Sequence, residues 1–385
     1  GLCRLAADPA EGWEAMRRSI DGPLVVEELG REGFLGLRQD WDELVARSGH
    51  DEPFFRHHFL SLWLDNFAPG EELRLFVARS GERLVAALPL LEERGRMYGL
   101  RVRRLRAPAN VHSCRFDLVA DPDRPEAIKA LWSHLRATRS FDVLELADVP
   151  LDGAARGLLS LAEADGLRVA VWESMQTPFV PLEGGYDAVL GRLDAHFRQN
   201  LRRRKRKLEA KGKLELQRIT GGRELERLLE EGLALERAGW KGERGTAIAD
   251  DATTRGFYSE LARRSAQRGE LSLYFLRLDG RPVAFHFGLE SGKTYYVPKV
   301  AFDEAHRECS PGQVMVDEVV RDLCERGFER FDFLGPNMTW KQDWSSQVRP
   351  HHWLYAFGRS ARGAALYDLK SRWAPKLKEV LRWKR

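Results

Sequence analysis

Two stretches of the chain share one pattern of apolar and polar positions. LRLFVARSGERLVAALPL begins at Leu73, and LSLYFLRLDGRPVAFHFG begins at Leu271. Each is a β-rich apolar run, a polar break at Ser80-Gly81 or Asp279-Gly280, and a second apolar run. That pattern predicts strand, tight turn, strand. Laid together without gaps at an offset of 198 (271 minus 73), Leu75 meets Leu273, Arg79 meets Arg277, and Val85 meets Val283. The matching continues outward. A helix-like stretch precedes each pair, at Pro53 to Phe67 and Thr253 to Gln267. A helix and then a strand follow each pair: Pro125 to Thr138 with Phe141 to Leu146, and Gly312 to Arg326 with Phe328 to Leu334.

A gapless register with the same outer order predicts a duplicated α/β (α+β) unit: two tandem domains, each a mixed central sheet flanked by helices. The PLEGG stretch at Pro181 to Gly185 breaks both patterns. It sets the expected domains at 1–183 and 184–360, with 361–385 a basic helical tail.

The 385 residues are 43% apolar and 10% aromatic, enough for two ordinary cores. Net charge is only +4, but it is uneven. His196 to Lys213 carries nine Lys or Arg and one acid, and Ala361 to Arg385 carries eight basics and two acids. Within the first run Leu193, Phe197, Leu201 and Leu208 make one apolar stripe, which predicts an amphipathic helix with basic outer faces and a stop at Gly212. Such a face either is solvated or meets a polyanion, and Arg202–Lys207 is the candidate contact for tRNA or an anionic membrane surface. The four cysteines form no CxxC pair or zinc spacing, which suggests reduced thiols in a cytoplasmic protein. No apolar run approaches the length of a membrane span, and no secretory leader pattern opens the chain.

The chemistry concentrates in TYYVPKVAFDEAHRECSPGQVMVDEVVRDLCERGFERFDFLGP, from Thr294. An aromatic, β-branched strand leads to a polar loop. Ser310-Pro311-Gly312 then opens a helix with Val314, Met315, Val319 and Leu323 on its apolar face. Free N–H groups at such a helix start suit a phosphate. Strand alternation points only one of Tyr295 and Tyr296 inward.

Together with GWKGERGTAI from Gly239, LDGRPVAFHF, SPGQVMVDEV and FDFLGPNMTWKQDW, this resembles the CelD-like branch of the GNAT acyltransferase superfamily. That branch is similar in turn to the FemABX peptidyl transferases, which also carry two GNAT-like halves. The resemblance covers the second half by motif and the first half in outline. It implies a cytoplasmic N-acyltransferase moving an acetyl or other acyl group from acyl-CoA to an amine on a sugar, peptide or envelope precursor, with no metal. Acetyl-CoA is the implied co-substrate. Its pyrophosphate would meet Arg307, Ser310, Gly312 and Gln313. Ser310 stands where the family pattern has its first Gly, and Pro311 lacks an N–H.

Attack of an amine on a thioester or ester needs a deprotonated amine, donors for the oxyanion and a proton for the leaving group. Tyr296 is the candidate phenol and Asp332 the carboxylate that orients the amine. Lys341, which follows the Asp332-Phe333-Leu334-Gly335 strand as a functional lysine does in FemABX proteins, is the candidate for charge stabilisation. Trp240, Lys241, Asn337 and Trp344 are candidates for the acceptor groove. Two other readings stand beside this one: a FemABX-type ligase using aminoacyl-tRNA, and a non-catalytic GNAT-like module in polysaccharide production. The pairs His57-His58 and His351-His352 make no metal site if each lies on a strand, and His112-Ser113-Cys114 lacks an evident acid–base partner.

Overall fold

A computed structural model describes residues 22–138, 141–238 and 250–373. Its thirteen strands form one mixed sheet. The first half supplies β1 (Leu24–Leu29), β2 (Glu72–Ser80), β3 (Arg83–Met97), β4 (Leu100–Arg106), β5 (Val119–Ala120), β6 (Val143–Pro150) and β7 (Arg168–Pro181). The second supplies β8 (Leu214–Ile219), β9 (Leu273–Leu278), β10 (Arg281–Ser291), β11 (Thr294–Phe302), β12 (Arg330–Asp332) and β13 (Val348–Phe357). The order is β1-β2-β3-β4-β6-β13-β7-β12-β11-β10-β9-β8, with the two-residue β5 added to β3.

The duplication read from the sequence holds at the level of hydrogen-bond register. Ala78 pairs with Ala86 in one hairpin, and Leu276 pairs with Ala284 in the other, each member offset by 198. Both hairpins then skip one residue, Val85 or Val283, as a bulge. Arg79 and Arg277 do the same work in each copy. Arg79 reaches Glu27 on β1, Asp40 on the helix Arg38–Arg47, and the Glu82 carbonyl. Arg277 reaches Gln217 on β8, Glu231 on the helix Leu225–Ala238, and the Gly280 carbonyl. Each arginine thereby ties a first strand, a first helix and a hairpin turn together.

The last strand of each half crosses over. β7 pairs antiparallel with β12 of the second half, and β13 pairs antiparallel with β6 of the first. The two crossing strands also pair with each other from Val348↔Pro178 to Phe357↔Arg168. One sheet therefore runs through both halves. On one face, Trp41, Phe59 and Trp63 of the first half and Phe257, Phe285 and Tyr296 of the second share a core. On the other face each half has its own: Leu131, Trp132 and Leu158 over β2–β6, and Val314, Met315 and Leu323 of the helix Pro311–Glu325 over β9–β12.

The basic segment forms the helix Ala195–Glu209, with Phe197, Leu201 and Leu208 buried as the stripe requires. Asp194 caps it by accepting from the His196 and Phe197 N–H groups. Gly212 is not its stop. The helix ends at Glu209 with Ala210 still in the right-handed region, and Gly212 instead leaves room for the Asp279 carboxylate, which accepts from the Lys213 N–H at 2.8 Å. Two strands also differ in extent: the expected Phe141–Leu146 runs from Val143 to Pro150, and the expected Phe328–Leu334 is confined to Arg330–Asp332. His57 and His58 open the helix His57–Phe67 and do not lie on a strand. Cys114, Cys309 and Cys324 are free thiols.

Candidate active site

The site is built where two parallel strands part. β11 and β12 pair over three residues only, Thr294↔Arg330, Tyr295↔Phe331 and Tyr296↔Asp332, and then diverge. Just beyond, β11 bulges: Tyr296 pairs with Leu289 and Lys299 with Phe287, so Val297 and Pro298 together face Gly288. The bulge returns Lys299 to the face of Tyr296, where its ammonium sits 5.3 Å from the Tyr258 ring centre. Gly288 is required there, because a Cβ would land inside the ring of Tyr295. The wedge opens toward the strand ends, and the helix Pro311–Glu325 begins at that end.

Tyr296 and Asp332 therefore stand side by side at the apex. Both tyrosines are buried, contrary to the expectation that only one points inward, because the sheet is covered on both faces: Tyr295 lies in the second half's own core, and Tyr296 in the shared core, packed edge-on against Phe54 at 5.4 Å. Burial raises its phenol well above the ordinary range, so it stays protonated. Asp332 is 1% exposed. Its Oδ1 accepts from the Leu334 N–H at 2.9 Å, and its Oδ2 accepts from Arg115 at 3.0 Å.

Arg115 comes from the first half, and sequence reasoning missed it. It donates to Glu52 at 2.6 Å, and Glu52 accepts from Arg349 at 2.6 Å, which in turn reaches Asp152. Burial alone would raise the Glu52 carboxyl. The adjacent Arg115 and Arg349 outweigh it and hold it down to about 2. The guanidinium of Arg115 also lies over the rings of Phe54 and Tyr296. Two cations and three carboxylates thus link the halves directly behind the apex. No motif signals this, because Asp332 and Arg115 are 217 positions apart and neither looks unusual among its neighbours.

Past Asp332 the chain turns sharply, with Leu334 and Gly335 both at positive φ. Lys341, 6% exposed, clamps the turn by donating to the Leu334 carbonyl at 2.6 Å and the Pro336 carbonyl at 3.0 Å. Within the turn the buried Oδ1 of Asn337 has no partner among the described residues. Tyr296, Asp332, Lys341 and Asn337 are thus brought to one place.

The remaining candidates are more scattered. Gln313 uses its side-chain amide internally, donating to the Trp340 carbonyl at 3.2 Å and accepting from the Trp344 indole at 2.6 Å. Trp344 is buried and packs edge-on against Phe197 of the basic helix. Ser310 adopts the left-handed conformation, and its carbonyl accepts from the Gln313 and Val314 N–H groups. Gly312 has only an ordinary van der Waals neighbour in Phe302. Arg307 projects outward, its side chain 82% exposed and 3.9 Å from Glu304. Trp240 and Lys241 lie outside the described residues.

On the first-half side, His112 stacks on Phe67 and comes within 3.3 Å of the Tyr258 hydroxyl. Burial, with Lys299 adding to it, lowers His112 to about 4, so its imidazole is neutral near pH 7. Burial pushes the adjacent Cys114 thiol up to about 12, which withholds a thiolate. Among the described residues no three His, Cys, Asp or Glu side chains gather as a metal site, and no helix is long and apolar enough to cross a membrane.

The model of the acetyltransferase (GNAT) domain matches residues 195–342. No curated protein sequence matches the chain. Among solved structures, FemX superposes with a TM-score of 0.59 at 14% identity, covering 89% of this chain and 99% of its own. The C-terminal domain of a putative lysylphosphatidylglycerol synthetase from Agrobacterium fabrum gives 0.51 at 16% identity, covering 88% and 96%. L-PGS from Bacillus licheniformis gives 0.52 at 12%, covering 88% and 96%. At these identities the likeness is one of fold. Residues 195–342 are thus similar to the acetyltransferase (GNAT) domain, in a chain whose fold as a whole resembles that of FemX, the Agrobacterium fabrum domain and L-PGS.

Proposed function

We propose that the chain is an N-acyltransferase that moves an acetyl or other acyl group from acyl-CoA to an amine acceptor, such as the amino group of a sugar, peptide or envelope precursor. The observation that carries this reading is the parting of β11 and β12, with Tyr296 and Asp332 paired at the apex and the Lys341-clamped turn beside them. The acyl arm would lie in the wedge along β11. The amine nitrogen bonds to the carbonyl carbon and gives up its proton, the carbon–sulfur bond breaks, and the leaving thiolate takes a proton. The protonated Tyr296 phenol suits the last step. Asp332 has lone pairs left after Arg115 and the Leu334 N–H, and these can orient the amine. The Lys341 ammonium would offset charge on the carbonyl oxygen. Arg307 and the Ser310–Gly312 backbone would meet the CoA pyrophosphate, while Asn337 and Trp344 would border the acceptor.

One observation favours a second reading, an aminoacyl-tRNA-dependent transferase. Pro311 has no N–H, and Gln313 uses both its side chain and its backbone N–H within the protein, so the turn offers a pyrophosphate few donors. The segment that follows the basic helix is tied to the same turn through the Lys211–Glu308 ion pair.

Mass spectrometry of gently purified protein for bound CoA or tRNA, followed by calorimetry with acetyl-CoA, separates the two. Acetyl-CoA should bind the wild type and bind Gly312→Asp more weakly, because the variant sets a carboxylate beside the phosphates. Equal affinity would remove the turn from the site. Finding neither ligand would favour a non-catalytic module.

A further inference from the structure

The hairpin of β3 and β4 runs past its neighbours. β2 pairs with β3 only as far as Glu92, and β6 meets β4 from Arg104 onward. Residues 93–97 and 100–103 therefore form a protruding two-stranded ribbon. Its register sets Arg94 opposite Arg103 and Arg96 opposite Arg101. Residues directly opposite in an antiparallel pair share a face, and like charges so placed destabilise it. The register cannot shift to separate them. Val102 on the other face is buried against Val143, Tyr355, Phe357 and Leu366, and a one-residue slip would expose it.

Arg362, on the helix Ala361–Asp368, completes a concavity of about 440 Å³ with these four arginines and Asp142. The chain neutralises only part of this charge. Glu92 accepts from Arg94 at 2.9 Å and from Arg103 at 3.0 Å. Asp142 is engaged by the Arg103 backbone N–H and the Ser360 hydroxyl. Arg96, Arg101 and Arg362 are exposed and have no ion-pair partner among the described residues. At the tip, between Arg96 and Arg101, Tyr98 is 51% exposed.

We propose that this ribbon docks on an anionic bilayer, its arginines on the phosphate headgroups and the Tyr98 ring in the interfacial layer. A protruding tip with cations around an exposed aromatic suits a flat, charged, partly apolar surface. The register strain is then relieved by the partner's charge. The proposal stands independently of the transferase reading.

The test is cosedimentation of the whole chain with vesicles of phosphatidylcholine alone and of phosphatidylcholine with phosphatidylglycerol, across a salt series. The wild type should bind only the anionic vesicles, and less so as salt rises. Substituting Arg96→Gln, Arg101→Gln and Arg362→Gln together should lower partitioning about a hundredfold, each charge being worth about a factor of five at such a surface. Melting should hold or rise slightly, because none of the three makes an ion pair and the variant removes the Arg96–Arg101 repulsion. A control with Arg38→Gln, Arg223→Gln and Arg281→Gln, three exposed arginines away from the ribbon and the basic helix, should keep vesicle binding. The proposal fails if the wild type ignores anionic vesicles or binds both kinds equally. It fails if the triple variant binds like wild type. Displacement by millimolar glycerol phosphate would instead make the concavity a discrete phosphate site, and a shift with RNA but not vesicles would assign the face to nucleic acid.

Discussion

Arg115 and Asp332 meet at 3.0 Å, one from each half of the chain and both almost wholly buried. The pair makes the candidate site a property of the whole molecule, although the GNAT match covers only 195–342. Removing one partner leaves the other as an uncompensated buried charge, which typically costs 3–5 kcal/mol. Arg115→Met should therefore lower the melting temperature by roughly 4–6 °C, since the unfolding entropy of a chain this long is about 0.8 kcal/mol per degree. Circular dichroism melting is the check, and a shift of a degree or two would mean that water reaches the pair.

Acid should unfold the protein in two stages. His58, His286 and His351 titrate near 6.5 when unfolded, and burial lowers each to about 3 in the fold. Glu52 titrates near 4.5 when unfolded and about 2 when folded. In each case the unfolded chain binds more protons between the two values. Stability is therefore full above the unfolded value and is lost as pH falls toward the folded one. Urea midpoints should decline below about pH 6.5 and more steeply below about 4.5. Glu52→Gln should be less stable at pH 7 and should flatten only the lower stage. An unchanged lower stage in that variant would assign the acid sensitivity to other carboxylates.

Lys341 bonds two carbonyls of the turn beside Asp332, so its loss has two separable effects. Lys341→Met should slow acyl transfer on the order of 10²-fold or more, the usual result of deleting one electrostatic contact to a developing charge. It should also soften the turn and lower the melting temperature. Lowered melting with near-normal turnover would confine Lys341 to holding the turn.

Gly288 allows the β11 bulge to form against Tyr295. Gly288→Ala drives a methyl group into that ring, and overpacking of this kind costs about 1–3 kcal/mol. Chemical denaturation should show the loss. Tyr295→Leu in the same chain should recover part of it, because the obstructing ring is gone. A fully stable Gly288→Ala would show that the bulge can relax.

The basic helix can be tested without disturbing its packing. Arg202, Arg203, Arg206 and Lys207 are exposed, whereas Lys205 is paired with Glu318. Changing the four exposed residues to Gln keeps both that pair and the buried stripe. If the helix binds RNA, the slope of log K against log salt should fall by about 3, since each neutralised phosphate releases close to one counterion. A wild type that binds no tRNA at low salt would leave the run a solvated face.

Much of the fold was legible because it rests on short-range pattern. Alternating apolar runs around Ser80-Gly81 and Asp279-Gly280 specify hairpins, and the 198-residue offset carries through to the bulges at Val85 and Val283. The stripe Phe197, Leu201 and Leu208 specifies a helix whose outer faces must be polar. The segment from Thr294 to Lys341 contained Tyr296, Asp332, Asn337 and Lys341, which the fold then gathered. Only the tertiary structure decided which strands would be exchanged, because β7 and β13 are each half-buried strands with no local feature that selects a partner. It also decided what faces the apex. A buried carboxylate must find a cation or hydrogen-bond donors, but sequence does not state which. Arg115 and Arg349 become partners of Asp332 and Glu52 only when one sheet passes through both halves and excludes the water that would otherwise serve.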